Sequence, residues 1–178
     1  MTPLSQILIR DIRGKIFRDD LTDFLVGWLQ NGSPVPAVPY SDGHSVVEGV
    51  SAIVLYRAPP YQIQLFIIAP NTLIPMHSHP NVDSYEMFLG GIHFTHGAET
   101  ISPGDEKDFL DPTGVSLYRG ALARVKPGDT HGGVASPQGG SFISVQKWLN
   151  GIPPTTVGAD WSGVNMGAAH DKLIEERK

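Results

Sequence analysis

Glycine and proline divide most of this sequence into short apolar runs, and this punctuation constrains the fold more than any other feature. The 20 glycines and 15 prolines are spread along the chain rather than gathered in one block. Short apolar runs between turn residues are typical of an all-β sandwich or barrel. About eight strands of this length suffice to close a small barrel around one ligand. The runs predict strands at 52–57, 61–69, 72–78, 85–89, 92–95, 115–118, 122–125, 132–135 and 142–148.

The segments between and around these runs set the expected organisation. Gly90-Gly91 predicts a two-residue hairpin between the strands at 85–89 and 92–95. The polar stretch 98–113 is rich in Asp, Gly and Pro and predicts a long loop. We therefore expect an N-terminal helix and loop at 1–50, a barrel at 51–149 and a C-terminal tail at 150–178 with a short helix at 168–177.

The N-terminal helix is predicted from apolar residues at three- and four-residue spacing, which give one apolar face. Asn31-Gly32 supplies a C-terminal stop, and the prolines that follow cannot continue a helix. The face is formed by Leu21, Phe24, Leu25, Trp28 and Leu29.

Composition excludes several classes of function. The net charge of −5, without a Lys/Arg cluster, gives no reason to expect nucleic acid as a partner. No apolar run approaches the roughly 20 residues that span a bilayer, and the N-terminus does not resemble a signal peptide. With no cysteine, a metal would have to be held by His and carboxylate groups, and a reducing cytoplasm is the expected location.

Two sequence segments place histidines where they can meet in one cavity. In His77-Ser78-His79, residues two apart in a strand point to the same face, so both imidazoles can enter one cavity. In the second segment, the Pro127-Gly128 turn leads to His131 at the start of a strand, so a third imidazole can join the first two. Neutral imidazoles grouped in this way favour a divalent metal site.

These residues together resemble the two motifs of the cupin superfamily. The first has His77-x-His79, four residues, Ser84 and then Gly91; the second has Gly120, five residues, Lys126-Pro127-Gly128, two residues and His131. The resemblance covers about residues 73–148. It implies an all-β cupin-type double-stranded β-helix, a jelly-roll barrel, with an N-terminal helix and a C-terminal tail.

The sequence departs from the metal-binding cupins at one position. Ser84 stands where those proteins carry a glutamate ligand, and acids lie on either side at Asp83 and Glu86. Glu86 shares the face of Ser84 and would enter the cavity as a shifted ligand or as a catalytic base. Asp83 points to the other face and could take this role only if the strand starts later, so that the residue lies in the turn. The predicted metal ligands are thus His77, His79, Glu86 and His131, with metal-free pocket histidines as the open alternative.

A narrower resemblance concerns function. The size, the leading helix, the ligand set and the tail with Trp161 look like the small subunit of two-component hydroquinone 1,2-dioxygenases. This implies a non-haem Fe(II) ring-cleaving dioxygenase acting on a small aromatic substrate, a larger cupin subunit as partner in a heterotetramer, and iron held mainly by that partner. The alternatives are a metal-dependent isomerase or lyase of a sugar or small acid, and a non-catalytic binding cupin.

We expect the other histidines, His44, His93, His96 and His170, to be surface or structural groups.

Overall fold

The computed structural model describes residues 9–11, 13–31, 44–47, 49–102, 104–110 and 114–158. Within these ranges the chain forms strands, one α-helix, α1 (Asp20–Asn31), and a short 3-10 turn at Leu149–Gly151. The strands are β1 (Ile9–Arg10), β2 (Ile16–Phe17), β3 (His44–Val47), β4 (Val50–Ala58), β5 (Tyr61–Ile68), β6 (Leu73–His77), β7 (Val82–Gly90), β8 (Ile92–His96), β9 (Glu99–Ile101), β10 (Lys107–Leu110), β11 (Ser116–Val125), β12 (His131–Ala135) and β13 (Gly140–Trp148).

Most strands belong to two antiparallel sheets. The large sheet has the order β10-β11-β7-β13-β5-β4-β3, and the small sheet has the order β6-β12-β8-β9. From β5 onward the chain passes back and forth between them, so that strands close in sequence usually lie in opposite sheets. This alternation around a shared interior is a double-stranded β-helix, or jelly-roll barrel. The predicted all-β fold class is confirmed.

The inner faces of the two sheets form one apolar core. Val50 and Phe66 of the large sheet belong to the same buried cluster as Ile74, Ile92 and Phe94 of the small sheet. In strands such as β4 and β8 the buried residues alternate with more exposed ones, because successive side chains point to opposite faces. Near His77 the interior also carries polar side chains beside these apolar ones.

A second apolar cluster lies on the outer face of the large sheet, where α1 covers it. Leu21, Leu25 and Val26 of the helix are buried against residues such as Tyr85 and Val145. Each buried Leu or Val contributes about 2 kcal/mol of transfer free energy. The predicted amphipathic helix is confirmed, and it packs on its own barrel.

The helix begins where Asp19 supplies a cap. The Asp19 carboxylate accepts a hydrogen bond from the Thr22 backbone N–H at 3.0 Å and another from the Thr22 hydroxyl at 2.9 Å. A side-chain acceptor at this position satisfies a backbone donor that the first helical turn leaves unpaired. The helix ends at Asn31, as the sequence predicts.

The predicted hairpin at Gly90-Gly91 is wrong. β7 pairs with β11 and β13 in the large sheet, while β8 pairs with β12 and β9 in the small sheet. The two glycines therefore carry the chain from one sheet to the other. Gly91 has a φ of +70°, and a Cβ there would stand 2.1 Å from the Gly139 carbonyl oxygen, so only glycine fits this crossing.

Two other strand predictions need correction. The stretch 98–113 contains β9 and β10, which pair with β8 and β11, although its polar composition predicts only a loop. Both strands lie at sheet edges, where polar residues are tolerated because one side faces solvent. The strands predicted at 115–118 and 122–125 form a single strand, β11, which runs through Gly120.

The N-terminal region adds strands that the sequence pattern does not predict. β1 and β2 form a two-stranded sheet, and β3 pairs with β4 at the edge of the large sheet. The large sheet thus reaches back to His44, ahead of the boundary expected near residue 50. The C-terminal helix predicted at 168–177 lies outside the described residues. No helix in the described ranges is long and apolar enough to cross a membrane.

Candidate metal centre

Strand pairing brings His77 and His131 side by side. His77 is the last residue of β6, His131 is the first residue of β12, and the two are register partners in the small sheet. Directly opposed residues on neighbouring antiparallel strands have their side chains within contact distance. His79 follows just beyond β6, and its neighbour Ser78 forms an isolated bridge with Val157.

The three imidazoles form a compact cluster. Ring centroids lie 4.4 Å apart for His77 and His131, 5.0 Å for His77 and His79, and 5.3 Å for His79 and His131. One nitrogen from each ring lies within 4.8 Å of the other two. The structure therefore brings together the three histidines that the sequence predicts as metal ligands.

Each ring is oriented by a backbone carbonyl. His77 Nδ1 lies 2.7 Å from the Pro75 oxygen, and His131 Nδ1 lies 3.0 Å from the Asp129 oxygen, in both cases two residues back along the chain. His79 Nδ1 lies 2.9 Å from the oxygen of Thr155, a distant residue. A carbonyl only accepts hydrogen bonds, so each Nδ1 donates a proton and each Nε2 carries the lone pair. Metal-binding histidines are commonly fixed in this way.

Burial keeps the imidazoles neutral. Desolvation lowers the pKa of His77, lowers that of His79 to about 4, and lowers that of His131 well below its ordinary range. The neighbouring rings add to the effect on His79 and His131, because two cations close together repel. Neutral imidazole is the form that binds a metal, so the cluster is ready for a cation at neutral pH.

Glu86 faces the same cavity from β7. Its side chain is 5% exposed, and its Oε1 accepts hydrogen bonds from the hydroxyls of Ser84, at 2.6 Å, and Ser144, at 3.0 Å. Its buried Oε2 has no hydrogen-bond partner in the described part of the chain. Burial raises the pKa of Glu86 to about 7, although the two serine hydroxyls oppose this effect.

The parity argument for the acids agrees with the structure. Ser84 and Glu86 both line the cavity, whereas Asp83 points to the opposite face and binds the buried guanidinium of Arg124 at 2.6 and 2.7 Å. Arg124 also binds Asp19 at 2.9 Å, so this ion-pair network fastens the start of α1 to the barrel. Asp83 thus has a structural role and is not available as a ligand.

Glu86 does not belong to the ligand cluster itself. Among the described residues, the group of three or more imidazole or carboxyl side chains whose ligand atoms lie within 4.8 Å of one another consists of His77, His79 and His131. Glu86 shares their cavity and stays a prediction as a fourth ligand. Its free Oε2 makes it equally suited to accept a proton from a bound molecule.

The cavity has an apolar wall and a polar wall. Phe66 and Phe142 stack with ring centroids 4.7 Å apart and planes 8° from parallel, and Phe94 lies 5.9 Å from the His131 ring. The lining residues are Val50, Gln64, Phe66, Ile74, His77, His79, Val82, Ser84, Glu86, Phe94, His131, Gly132, Phe142, Ser144, Gln146 and Pro154. Aromatic side chains with a few convergent polar groups are typical of small-molecule sites.

The sequence analysis misses part of the polar wall. Gln146 Nε2 donates to Gln64 Oε1 at 3.2 Å and to Ser144 Oγ at 3.1 Å, which continues the hydrogen-bond network from Glu86. These residues alternate with apolar ones along β5 and β13, since Gln62-x-Gln64 and Ser144-x-Gln146 are spaced by two. Polar residues at every second position of an otherwise apolar strand could have indicated this wall.

Of the remaining histidines, His93 and His96 do not belong to the cluster, although His96 is the register partner of His131. His93 is exposed, while His96 is buried on the other side of β8, where its Nε2 donates to Asp129 Oδ2 at 2.9 Å and its Nδ1 accepts from Arg13. These two have the surface and structural roles predicted for them. His44 lies in β3, and its side chain is not described. His170 and Trp161 lie outside the described residues.

Comparison with known proteins adds the following findings. No protein-family model matches the sequence, and no curated protein matches it. Solved structures similar to this chain include KdgF from Halomonas sp., at 15% identity over 60% of this chain and 86% of that one, with a TM-score of 0.48. A cupin-2 domain from Rhodospirillum rubrum has 13% identity, coverage of 79% and 94%, and a TM-score of 0.48.

A third similar structure is a sugar phosphate isomerase of the cupin superfamily from Silicibacter pomeroyi. It has 16% identity, coverage of 68% of this chain and 74% of that one, and a TM-score of 0.46. At these identities and TM-scores the likeness does not extend to function, and the fold assignment rests on the strand order itself. By that strand order, the chain has the cupin-type double-stranded β-helix fold, with three histidines clustered at one end of its barrel.

Proposed function

We propose that this chain is the small subunit of a non-haem Fe(II)-dependent dioxygenase that opens the ring of hydroquinone-type aromatics in the cytoplasm. A larger cupin subunit completes the enzyme as a heterotetramer. The observation that carries the proposal is the cluster of neutral imidazoles of His77, His79 and His131 beside a cavity lined by phenylalanines. The resemblance of the sequence to such subunits supplies the substrate class.

The donor set fits a divalent metal. Each imidazole has its Nδ1 occupied by a backbone carbonyl, so Nε2 is the ligand atom of His77, His79 and His131. Imidazole nitrogen suits iron as well as zinc, copper and nickel. When bound, Fe(II) would supply the chemistry with O₂ that ring cleavage requires.

The other residues of the cavity fit an aromatic substrate. Phe66, Phe94 and Phe142 offer ring faces that favour a flat apolar molecule and exclude water. Glu86 Oε2, buried and without a partner among the described residues, would accept the proton of a ring hydroxyl. A carboxyl whose pKa is about 7 exchanges protons readily at neutral pH, so Glu86 is the proposed catalytic base.

The first experiment asks which chain holds the iron. The chain is purified alone, loaded with Fe(II) without oxygen, and analysed for bound iron beside His77→Ala and the matched control His93→Ala, which changes an exposed histidine outside the cluster. The resemblance implies iron held mainly by the larger subunit, but the three-histidine cluster leads us to expect about one iron per chain in the wild type and in His93→Ala, and little in His77→Ala. Iron absent from all three preparations would mean that the larger subunit holds the metal.

The second experiment tests the reaction. The chain and its larger partner are combined with Fe(II) and hydroquinone, and O₂ uptake is followed together with the loss of the aromatic absorbance. We expect both to proceed together and to depend on Glu86, so that Glu86→Gln lowers kcat by about 100-fold or more. If hydroquinone stays intact in the presence of iron and both chains, the substrate assignment is wrong.

One observation favours a second candidate, a metal-dependent isomerase or lyase of a sugar or small acid. Such reactions move protons rather than electrons, and Glu86 is a buried carboxyl whose pKa lies near neutrality. The apolar wall of the cavity fits a sugar less well than an aromatic ring. Turnover of a sugar by the chain alone, without O₂ uptake, would replace the dioxygenase proposal with this one.

A further inference from the structure

Asn81 lies in the turn between His79 and β7, and its side-chain amide is fully used. Its Nδ2 donates to the backbone oxygens of Ile152, at 3.1 Å, and Pro153, at 2.8 Å. Its Oδ1 accepts from the backbone N–H of Thr155, at 2.9 Å, and from the Thr155 hydroxyl, at 3.0 Å. An asparagine amide offers two donor hydrogens and two acceptor lone pairs, so all four are bound to one segment.

That segment, residues 152–157, crosses the end of the barrel where the histidines lie, and we call it the strap. Pro153 and Pro154 have no backbone N–H, so this part of the strap cannot join a sheet ladder. Pro154 lines the cavity, and farther along the strap Val157 and Ser78 exchange two backbone hydrogen bonds at 2.8 and 2.9 Å. The strap is therefore held by the Asn81 side chain at one end and by a single bridge at the other.

The strap also fixes one of the histidines. His79 Nδ1 donates to the Thr155 oxygen at 2.9 Å and lies 3.3 Å from the Thr156 hydroxyl of the same strap. His77 and His131 instead use backbone carbonyls two residues back along the chain. The orientation of His79 thus depends on a segment that lies 76 positions away in the sequence. The position of that segment depends in turn on Asn81.

We propose that Asn81 is the positioning residue of the candidate metal centre: its amide holds the strap, and through the Thr155 carbonyl it sets the tautomer and direction of the His79 ring. This inference rests on the proposed metal centre. Asn81 itself touches neither the cavity nor the ligand atoms of the cluster in the described contacts.

The test uses Asn81→Asp, which keeps the size and the acceptor oxygen but replaces the donating NH₂ by an oxygen facing two carbonyls. Thr155→Val, which removes one hydroxyl bond, is the milder variant, and Thr155→Ser, which keeps every bond, is the matched control. Nitrogen NMR of the metal-free chain reports the tautomer of each histidine, and titration with Co²⁺, whose visible spectrum follows the ligand geometry, reports the affinity.

We expect His79 of the wild type and of Thr155→Ser to be protonated at Nδ1. In Asn81→Asp the ring should populate both tautomers, while His77 and His131 stay unchanged, and Co²⁺ should bind about 10- to 100-fold more weakly. For Thr155→Val, the His79 tautomer populations and the Co²⁺ affinity should lie between those of the wild type and of Asn81→Asp. This variant provides the test if Asn81→Asp does not fold.

The outcomes separate the two proposals. A wild-type chain that binds no Co²⁺ contradicts the metal centre, yet the tautomer measurement still tests Asn81. A wild-type chain that binds Co²⁺, with a folded Asn81→Asp variant of equal affinity and unchanged His79 spectrum, would overturn the role of Asn81 alone. A loss of affinity with equal changes at all three histidines would also overturn it, because that pattern indicates general loosening of the fold.

Discussion

Replacing Glu86 by glutamine tests whether the cavity holds a neutral carboxyl. In the wild type, Oε1 accepts hydrogen bonds from Ser84 and Ser144, and Oε2 is buried without a partner in the described part of the structure. A glutamine has nearly the same shape and keeps an oxygen for the two serines. It cannot ionise, so the substitution removes the titration and leaves the packing almost intact.

The magnitude follows from the pKa of the buried group. Burial raises the pKa of Glu86 from 4.5 to about 7, and each pH unit of such a difference corresponds to about 1.4 kcal/mol. Because the folded-state pKa is raised, the stabilisation from the neutral carboxyl is complete below about pH 4.5 and is lost as the pH rises through about 7. Relative to Glu86→Gln, the wild type should lose about 2 to 3 kcal/mol of unfolding free energy between pH 5 and pH 8.

The assay is urea unfolding of the metal-free chain at several pH values from 5 to 8. The neutral histidines of the cluster act in the opposite direction, since their lowered pKa values make stability fall as the pH drops below 6.5. The wild type and Glu86→Gln share this contribution of the histidines, so it cancels when their unfolding free energies are subtracted. Glu106→Gln, at an exposed position, is the matched control and should follow the wild type throughout.

The result that would refute the reasoning is a flat difference. If the unfolding free energies of wild type and Glu86→Gln differ by the same amount at pH 5 and pH 8, within about 0.5 kcal/mol, the Glu86 carboxyl is not held neutral by burial. Glu86 would then be ionised throughout this pH range, and the near-neutral pKa on which its proposed part in proton transfer rests would be wrong.

Two further predictions concern the scaffold of the site, and both are read by urea unfolding. Arg124→Met should lower the unfolding free energy by about 3 kcal/mol or more, because it leaves two carboxylates without their buried cation. The control Arg119→Met, at a side chain that is 74% exposed, should change the unfolding free energy little. Equal losses for the two arginine variants would contradict the buried network. Gly91→Ala should destabilise the chain by clearly more than Gly97→Ala: both glycines have positive φ, but only the Cβ at position 91 would collide, at 2.1 Å from the Gly139 oxygen. Equal losses for the two glycine variants would show that the sheet crossing relaxes easily.

The sequence by itself determines which side chains share a face. The period of two along a strand predicts that Ser84 and Glu86 point the same way and that Asp83 points the other way, and the structure agrees. The amphipathic helix and most strands follow from equally local patterns of apolar and turn residues. These predictions succeed because they depend on a few neighbouring residues and on backbone geometry that every strand or helix shares.

The tertiary structure decides which strands meet. Gly90-Gly91 has the local signature of a hairpin, yet it crosses between sheets, because pairing is set by the packing of distant strands as well as by the turn. Apolar content also fails to predict β9 and β10, because they lie at sheet edges. One side of each strand faces solvent, so their residues need not be apolar.

At the candidate site, too, some features follow from local sequence and others from tertiary packing. The histidine pattern predicts imidazoles in one cavity, but the pairing of His77 with His131, which brings them to 4.4 Å, requires the register of β6 and β12. The carbonyl of Thr155 that orients His79 and the Asn81 amide that binds Thr155 come from two separate segments, neither of which has a strand or helix pattern. Such contacts depend on where the folded chain returns in space. Local sequence therefore specifies the chemical groups of this site, whereas long-range packing sets their distances, their tautomers and the protonation of Glu86.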